Sequence, residues 1–220
     1  MSPAMSQAYE KSAVREYFES IVIAVILALF VRTFVVQAFK IPSGSMEDNL
    51  LIGDHLLVNK FIFGGAPTGL ERAVLPVRDI RRGDVIVFKF PKEPDRDFIK
   101  RVIALPGETV ELRHKAVYVN GQAIDESAFH LKFTSPEAAD GRPPRDKVDS
   151  FGPVTVPAEH LFMMGDNRDD SYDSRYWNFL PMNYVKGRAI NIYFSYDPAQ
   201  PGAAAVVTSI RWRRLFRQVR

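Results

Sequence analysis

The sequence predicts a mainly β protein: an antiparallel sheet domain with a smaller β insert, preceded by one N-terminal apolar helix. Three observations carry this expectation. Short apolar runs recur between Leu51 and Phe194, separated by turns rich in Gly, Pro, Asn and Asp, the punctuation of antiparallel strands. One uninterrupted apolar run, Ile21–Val31, stands apart from them near the N-terminus. No internal repeat is visible.

Residues 1–16 read as a polar tail leading into a helix. The pure apolar run is too short to cross a hydrocarbon core of about 30 Å, but residues 17–39 at about 1.5 Å each are long enough. The segment is therefore expected to be a transmembrane anchor with Arg32 snorkelling near an interface. A buried soluble helix would show a polar face, and Ile21–Val31 has none. Val36-Gln37-Ala38 imitates the small-residue site of a cleavable signal, yet Arg32 and Thr33 interrupt the approach. The anchor is expected to be retained.

Residues 40–220 are expected to form the sheet domain, with 106–154 as the smaller β insert. Leu51–Phe63 alternates apolar and polar residues and predicts a strand. Ala66–Arg82 reads as a loop. Asp84–Phe90 is a strand ended by Pro91, Pro91–Asp97 a charged turn, and Phe98–Leu105 a second apolar strand. Thr109–Leu112 and Ala116–Val119, with Asn120-Gly121, suggest a hairpin. Ser135–Ser150 is polar and proline-rich and reads as an exposed excursion. Val154–Pro157, His160–Met164 and Ala189–Phe194 supply further strands. The C-terminal IRWRRLFRQVR suits either a solvated basic tail or a membrane-surface contact.

Composition narrows the functions. With 46% hydrophobic and 25% charged residues and a net charge of +3, the chain is an ordinary globular one. No basic stripe interleaved with aromatics argues for nucleic acid. The absence of cysteine excludes disulfides and thiolate chemistry. His55, His114, His130 and His160 are scattered without the pairing of a zinc site, and read as surface or loop residues.

Chemistry-bearing residues gather in three stretches. In Ile41–Asp54, IPSGSMEDNLLIGD, Pro42 and Gly44 bend the backbone around two hydroxyls, Ser43 and Ser45, a seat for a nucleophile. In Phe98–Arg101, FIKR, Lys100 sits in an apolar frame. Burial there disfavours the ammonium and lowers its pKa towards that of a useful base. The third is Gly165–Arg175, GDNRDDSYDSR. Together with the apolar segment and in this order, the three stretches resemble bacterial type I signal peptidase, the membrane-bound leader peptidase family. The resemblance runs from about Ser20 onward.

That resemblance implies a Ser/Lys endopeptidase that removes signal peptides from exported preproteins. It implies Ser45 as nucleophile, Lys100 as base, Ser43 as an oxyanion-hole hydroxyl beside the Ser45 backbone N–H, and Ser171 as the residue orienting the lysine. Asp173 and Arg175 correspond to a supporting ion pair. Ile41, Leu50, Phe98 and Ile99 lie near the dyad in sequence and are candidates for apolar pocket walls. The implied setting is the cytoplasmic (inner) membrane, single-pass, with the catalytic domain on the extracytoplasmic, periplasmic side. The partners are preprotein signal peptides and membrane lipid, with no nucleic acid, no metal and no organic cofactor. Two departures stand out: Asp48-Asn49-Leu50 where relatives often carry Pro-Thr-Leu, and Leu105-Pro106-Gly107-Glu108 where LPGD is common. A specialised processing peptidase of a conjugation or pilin system remains an alternative, as does a non-catalytic membrane-anchored peptide-binding β module.

Overall fold

The computed structural model describes residues 13–30, 36–63, 77–133, 148–199 and 208–219. In chain order these form α1 (Ala13–Phe30), β1 (Val36–Lys40), β2 (Asp54–Asn59), β3 (Val85–Phe90), β4 (Glu93–Ala104), β5 (Thr109–Arg113) and β6 (Ala116–Val119). There follow β7 (Gln122–Ala123), β8 (Phe151–Thr155), β9 (His160–Met164), α2 (Ser174–Trp177), β10 (Leu180–Pro181) and β11 (Val185–Ser195). Every strand pairing is antiparallel. A seven-stranded sheet runs β1-β2-β11-β3-β4-β9-β10, and a four-stranded sheet runs β7-β6-β5-β8.

Strand patterning explains the layers. Alternate residues of β2 are buried, so Leu56 and Val58 enter one core cluster with Ile41, Met46, Leu50 and Ile99. The strands β3 and β4 sit mid-sheet with both faces covered, and Val85–Phe88 and Ile99–Ala104 are accordingly buried throughout. Phe88, Phe90, Val102 and Trp177 fill a second cluster, while the small sheet closes over a third with Val110, Leu112, Phe162 and Met164.

Two details depart from the sequence reading. The charged stretch expected to be a turn is mostly strand: only Pro91-Lys92 turns, and β4 begins at Glu93, opposite Phe90. The β5–β6 hairpin turns at His114-Lys115, whose φ angles of 49° and 67° meet the demand for left-handed backbone in a two-residue hairpin loop. Asn120-Gly121 instead turns β6 into β7. The Ser135–Ser150 and Ala66–Arg82 segments fall largely outside the described residues.

The N-terminal expectation needs a larger correction. α1 is described as far as Phe30, and residues 36–40 form β1, whose backbone pairs with β2 from Val36 opposite Asn59 to Lys40 opposite His55. The end of the proposed 17–39 span is thus claimed by sheet hydrogen bonding. Among the described residues no helix is long and apolar enough to cross a membrane. The helix nevertheless buries none of its side chains, leaving Phe18, Ile21, Ile23, Ile26, Leu27 and Phe30 exposed.

Candidate active site

Ser45 lies in a turn held at both ends. The Glu47 N–H donates to Gly44 O (3.0 Å) and the Leu50 N–H to Met46 O (2.8 Å), while the Ile41 N–H to Asp54 O bond (2.9 Å) closes the loop at its base. Met46 and Leu50 point into the core and pin the turn from beneath. Ser43 and Gly44 remain at the surface of a cleft of about 760 Å³ that Ser45 also lines.

Lys100 approaches from β4. It pairs across the sheet with Ile86 and shares a strand face with Phe98, whose ring lies 5.3 Å from the amine. Its Nζ stands 2.6 Å from Ser45 Oγ and donates to Ile99 O at 3.1 Å. Only 4% of Lys100 and 9% of Ser45 is exposed, so the pair meets at the floor of the cleft with little water access. Burial disfavours the ammonium and lowers the lysine pKa from 10.5 to about 8, against the opposing pull of the Asp173 and Asp166 carboxylates, with Arg175 adding to the depression. His55 lies on β2 outside the cleft lining, and none of the residues lining the cleft is a histidine.

The loop from Gly165 to Arg175 packs against this pair. Burial pushes the Asp173 carboxyl up, but Arg175, the Gly165 N–H and Ser171 outweigh it and hold the group below its ordinary range. Arg175 donates to Asp173 through Nε (2.9 Å) and Nη2 (2.8 Å), and both side chains are fully buried. Asp166 is bound by Arg101 through two bonds of 2.7 and 2.6 Å and by Asn49 Nδ2 at 2.7 Å. Asn49, a departure noted above, thus ties the nucleophile loop to the Gly165–Arg175 loop. The other departure preserves its turn, since Glu108 accepts from the Leu105 N–H at 2.7 Å and pairs with Arg82 at 2.7 Å. Gly165 has no room for a side chain: a Cβ there would collide with Ser171 Oγ and Ser45 O.

The sequence-derived residues divide clearly. Ser45, Lys100, Ser43, Phe98 and Ile99 all border the cleft. Ile41 and Leu50 do not; both are fully buried in the core beneath it, because the loop needs apolar anchors to stay closed. Ser171 is buried, but its hydroxyl makes no hydrogen bond to Lys100. Sequence reasoning missed the aromatic wall. Phe90 stacks on Phe98 with centroids 4.4 Å apart, and Tyr172 stands edge-on to Phe90 at 6.0 Å. The wall's signals were Phe90 at the end of the DVIVFKF strand and Tyr172 within GDNRDDSYDSR, beside the Phe98 already singled out.

A buried amine against a serine hydroxyl, on a cleft floored by apolar strands, is equipped for nucleophilic attack on a bound peptide. Comparison with known proteins gives the family. A family model described as "Signal peptidase, peptidase S26" matches residues 14–194. A signal peptidase I of Pseudomonas aeruginosa is 38% identical over 209 residues, covering 83% of this chain and 74% of that protein. A signal peptidase I of Leptolyngbya laminosa is 37% identical over 196 residues, covering 86% of this chain and 83% of that protein. A crystal structure of a signal peptidase I from Enterococcus faecalis is 32% identical, covers 50% of this chain and 97% of that one, and superposes with a TM-score of 0.39. The chain belongs to the signal peptidase family, peptidase S26, and is a serine endopeptidase of the hydrolase class.

Proposed function

We propose that the chain cleaves signal peptides from exported preproteins with Ser45 as nucleophile and Lys100 as general base. The observation that carries this reading is the 2.6 Å approach of Lys100 Nζ to Ser45 Oγ at the floor of the cleft. The neutral amine takes the serine proton as Oγ attacks the scissile carbonyl carbon. The carbonyl π pair moves to oxygen, where the Ser45 N–H and the Ser43 hydroxyl stabilise it. Collapse of this intermediate expels the new N-terminal amine, which takes the proton from Lys100. Water, deprotonated by the same lysine, then hydrolyses the acyl-serine. Ser171 and the Asp173–Arg175 pair support the lysine from the neighbouring loop.

Phe98, Ile99 and Phe90 form an apolar wall suited to small side chains at the residue before the cleaved bond. The exposed apolar face of α1 supports attachment to the cytoplasmic membrane, with the sheet domain on the extracytoplasmic side. Tethering both enzyme and preprotein to one membrane raises their effective concentration.

The test is incubation of detergent-solubilised protein with a preprotein, with wild type, Ser45→Ala and Lys100→Ala compared. Both variants are expected to lose turnover by about 10³-fold or more. Near-normal processing by Lys100→Ala would remove the dyad.

A further inference from the structure

The nucleophile turn is held by a residue of the third loop to which the mechanism above gives no task. Asn167 is 2% exposed and reaches the turn twice. Its backbone N–H donates to Ser45 O at 3.1 Å, and its side-chain Nδ2 donates to Gly44 O at 3.1 Å. Gly44 O also accepts the Glu47 N–H at 3.0 Å, so this carbonyl is fixed by two donors. The Gly44–Ser45 peptide is trans. In a trans peptide the C=O and the following N–H point in opposite directions. Holding the Gly44 carbonyl therefore holds the Ser45 N–H, turned away from Asn167 on the turn that lines the cleft. No described residue accepts a hydrogen bond from that N–H.

Asn167 is itself immobilised. Lys132 flanks it on both sides, donating its N–H to Asp166 O (2.9 Å) and accepting the Arg168 N–H (2.9 Å). The adjacent Asp166 carboxylate is locked by Arg101 and Asn49. The side-chain amide is thus supported by a buried frame, the condition for orienting a dipole before charge develops.

We infer that Asn167 is a positioning residue for oxyanion stabilisation, aiming the Ser45 N–H at the developing negative oxygen by holding the Gly44 carbonyl. The inference rests on the Ser45–Lys100 reading. It assigns Asn167 a task in the transition state, separate from substrate binding and from the base.

The experiment compares wild type with Asn167→Ala and Asn167→Asp, rates being normalised to titrated active sites. Asn167→Asp keeps the size and the backbone N–H, and puts a carboxylate oxygen and a negative charge where the side-chain donor faced Gly44 O. Both variants are expected to lose about 10- to 100-fold in kcat with KM within about threefold. Affinity for a substrate-like peptide aldehyde should fall in the same proportion as kcat. That aldehyde forms a hemiacetal by bonding Ser45 Oγ to its carbonyl carbon. The pH midpoint of the Asn167→Ala rate should stay at the wild-type value, because that variant leaves the base and the charges around it untouched. Turnover within threefold of wild type in both variants would overturn the inference. So would a shifted pH midpoint in Asn167→Ala, equal losses in KM and aldehyde affinity, or failure of both variants to fold, each of which marks a base-supporting, binding or purely structural role. Ser45→Ala run alongside separates the two claims. If it is inactive while the Asn167 variants are not, the inference alone fails; if it turns over, the dyad reading fails as well.

Discussion

In the proposed mechanism Lys100 is the base, and its titration has two consequences of definite sign. Only the neutral amine accepts the Ser45 proton, so kcat/KM should rise with pH through the folded pKa of about 8. A pH–rate profile should show several-fold higher activity at mildly alkaline pH than at neutrality. A profile levelling near the histidine value would contradict the lysine base. Stability follows the same shift. Between about 8 and 10.5 the unfolded lysine binds its proton while the folded one has released it, so stability gains with pH across that window. Below it, the folded state carries a buried charge. Lys100→Met should accordingly be more stable than wild type at pH 7, on the order of 2 kcal/mol in denaturant unfolding, while losing catalysis. Ser171 belongs to this scale too. Its hydroxyl is buried beside Gly165 and has no hydrogen bond to the amine in the resting enzyme. If it orients the lysine as the proton moves, Ser171→Ala should lower kcat by about 10-fold or more with little change in KM. A change confined to KM would reassign it to substrate binding.

Among the elements, the C-terminal segment behaves least like the basic tail it resembles in sequence. Arg214 turns inward and binds Asp54 through Nε (3.1 Å) and Nη2 (2.5 Å), and Asn49 O at 2.7 Å, while Val219 enters the core. Asp54 is fully buried and also accepts the Ser195 hydroxyl at 2.7 Å. Removing the guanidinium strands a buried carboxylate, so Arg214→Ala should cost about 3 kcal/mol in urea unfolding. Asp54 closes the base of the nucleophile loop, and activity should fall at temperatures well below the wild-type midpoint. A loss under about 0.5 kcal/mol would show the pair to be dispensable. Trp212 and Phe216 stay exposed on the same segment, so its two faces serve different ends.

At the scale of the molecule, α1 stands outside the core of the sheet domain. The helix buries no side chain, and the core clusters draw on residues from 41 onward, with Phe39 packed against one of them. A chain lacking residues 1–30 should therefore keep its thermal midpoint within about 2 °C. It should still cleave a short soluble peptide, while membrane-embedded preprotein is processed more slowly for want of a shared surface. A large drop in the thermal midpoint would mean that the helix contributes to the fold.

Much of this was legible in the sequence. Alternation and turn residues announced the strands, because a half-buried strand must alternate and a tight turn needs residues that tolerate its backbone. Ser45 and Lys100 stood out only in combination with GDNRDDSYDSR, because a bent serine turn is usually only a turn and a lone lysine usually lies at the surface. Other features depend on partners distant in sequence. Val36–Phe39 continues an apolar run and reads as helix until β2 offers its unpaired edge, and hydrogen bonding to that edge decides the matter. Ile41 and Leu50 read as pocket walls by adjacency, yet a loop held shut by its own apolar residues must turn them into the core. Arg214 reads as solvated until Asp54, 160 residues earlier, supplies its counter-charge. Local pattern was enough to name most of the strands, and the resemblance carried by the three stretches named the family and the candidate pair. The direction of each side chain, the grip of Asn167 on the nucleophile turn and the burial that lowers the lysine pKa arose only in the folded chain, because each is a property of surroundings assembled from residues far apart in sequence.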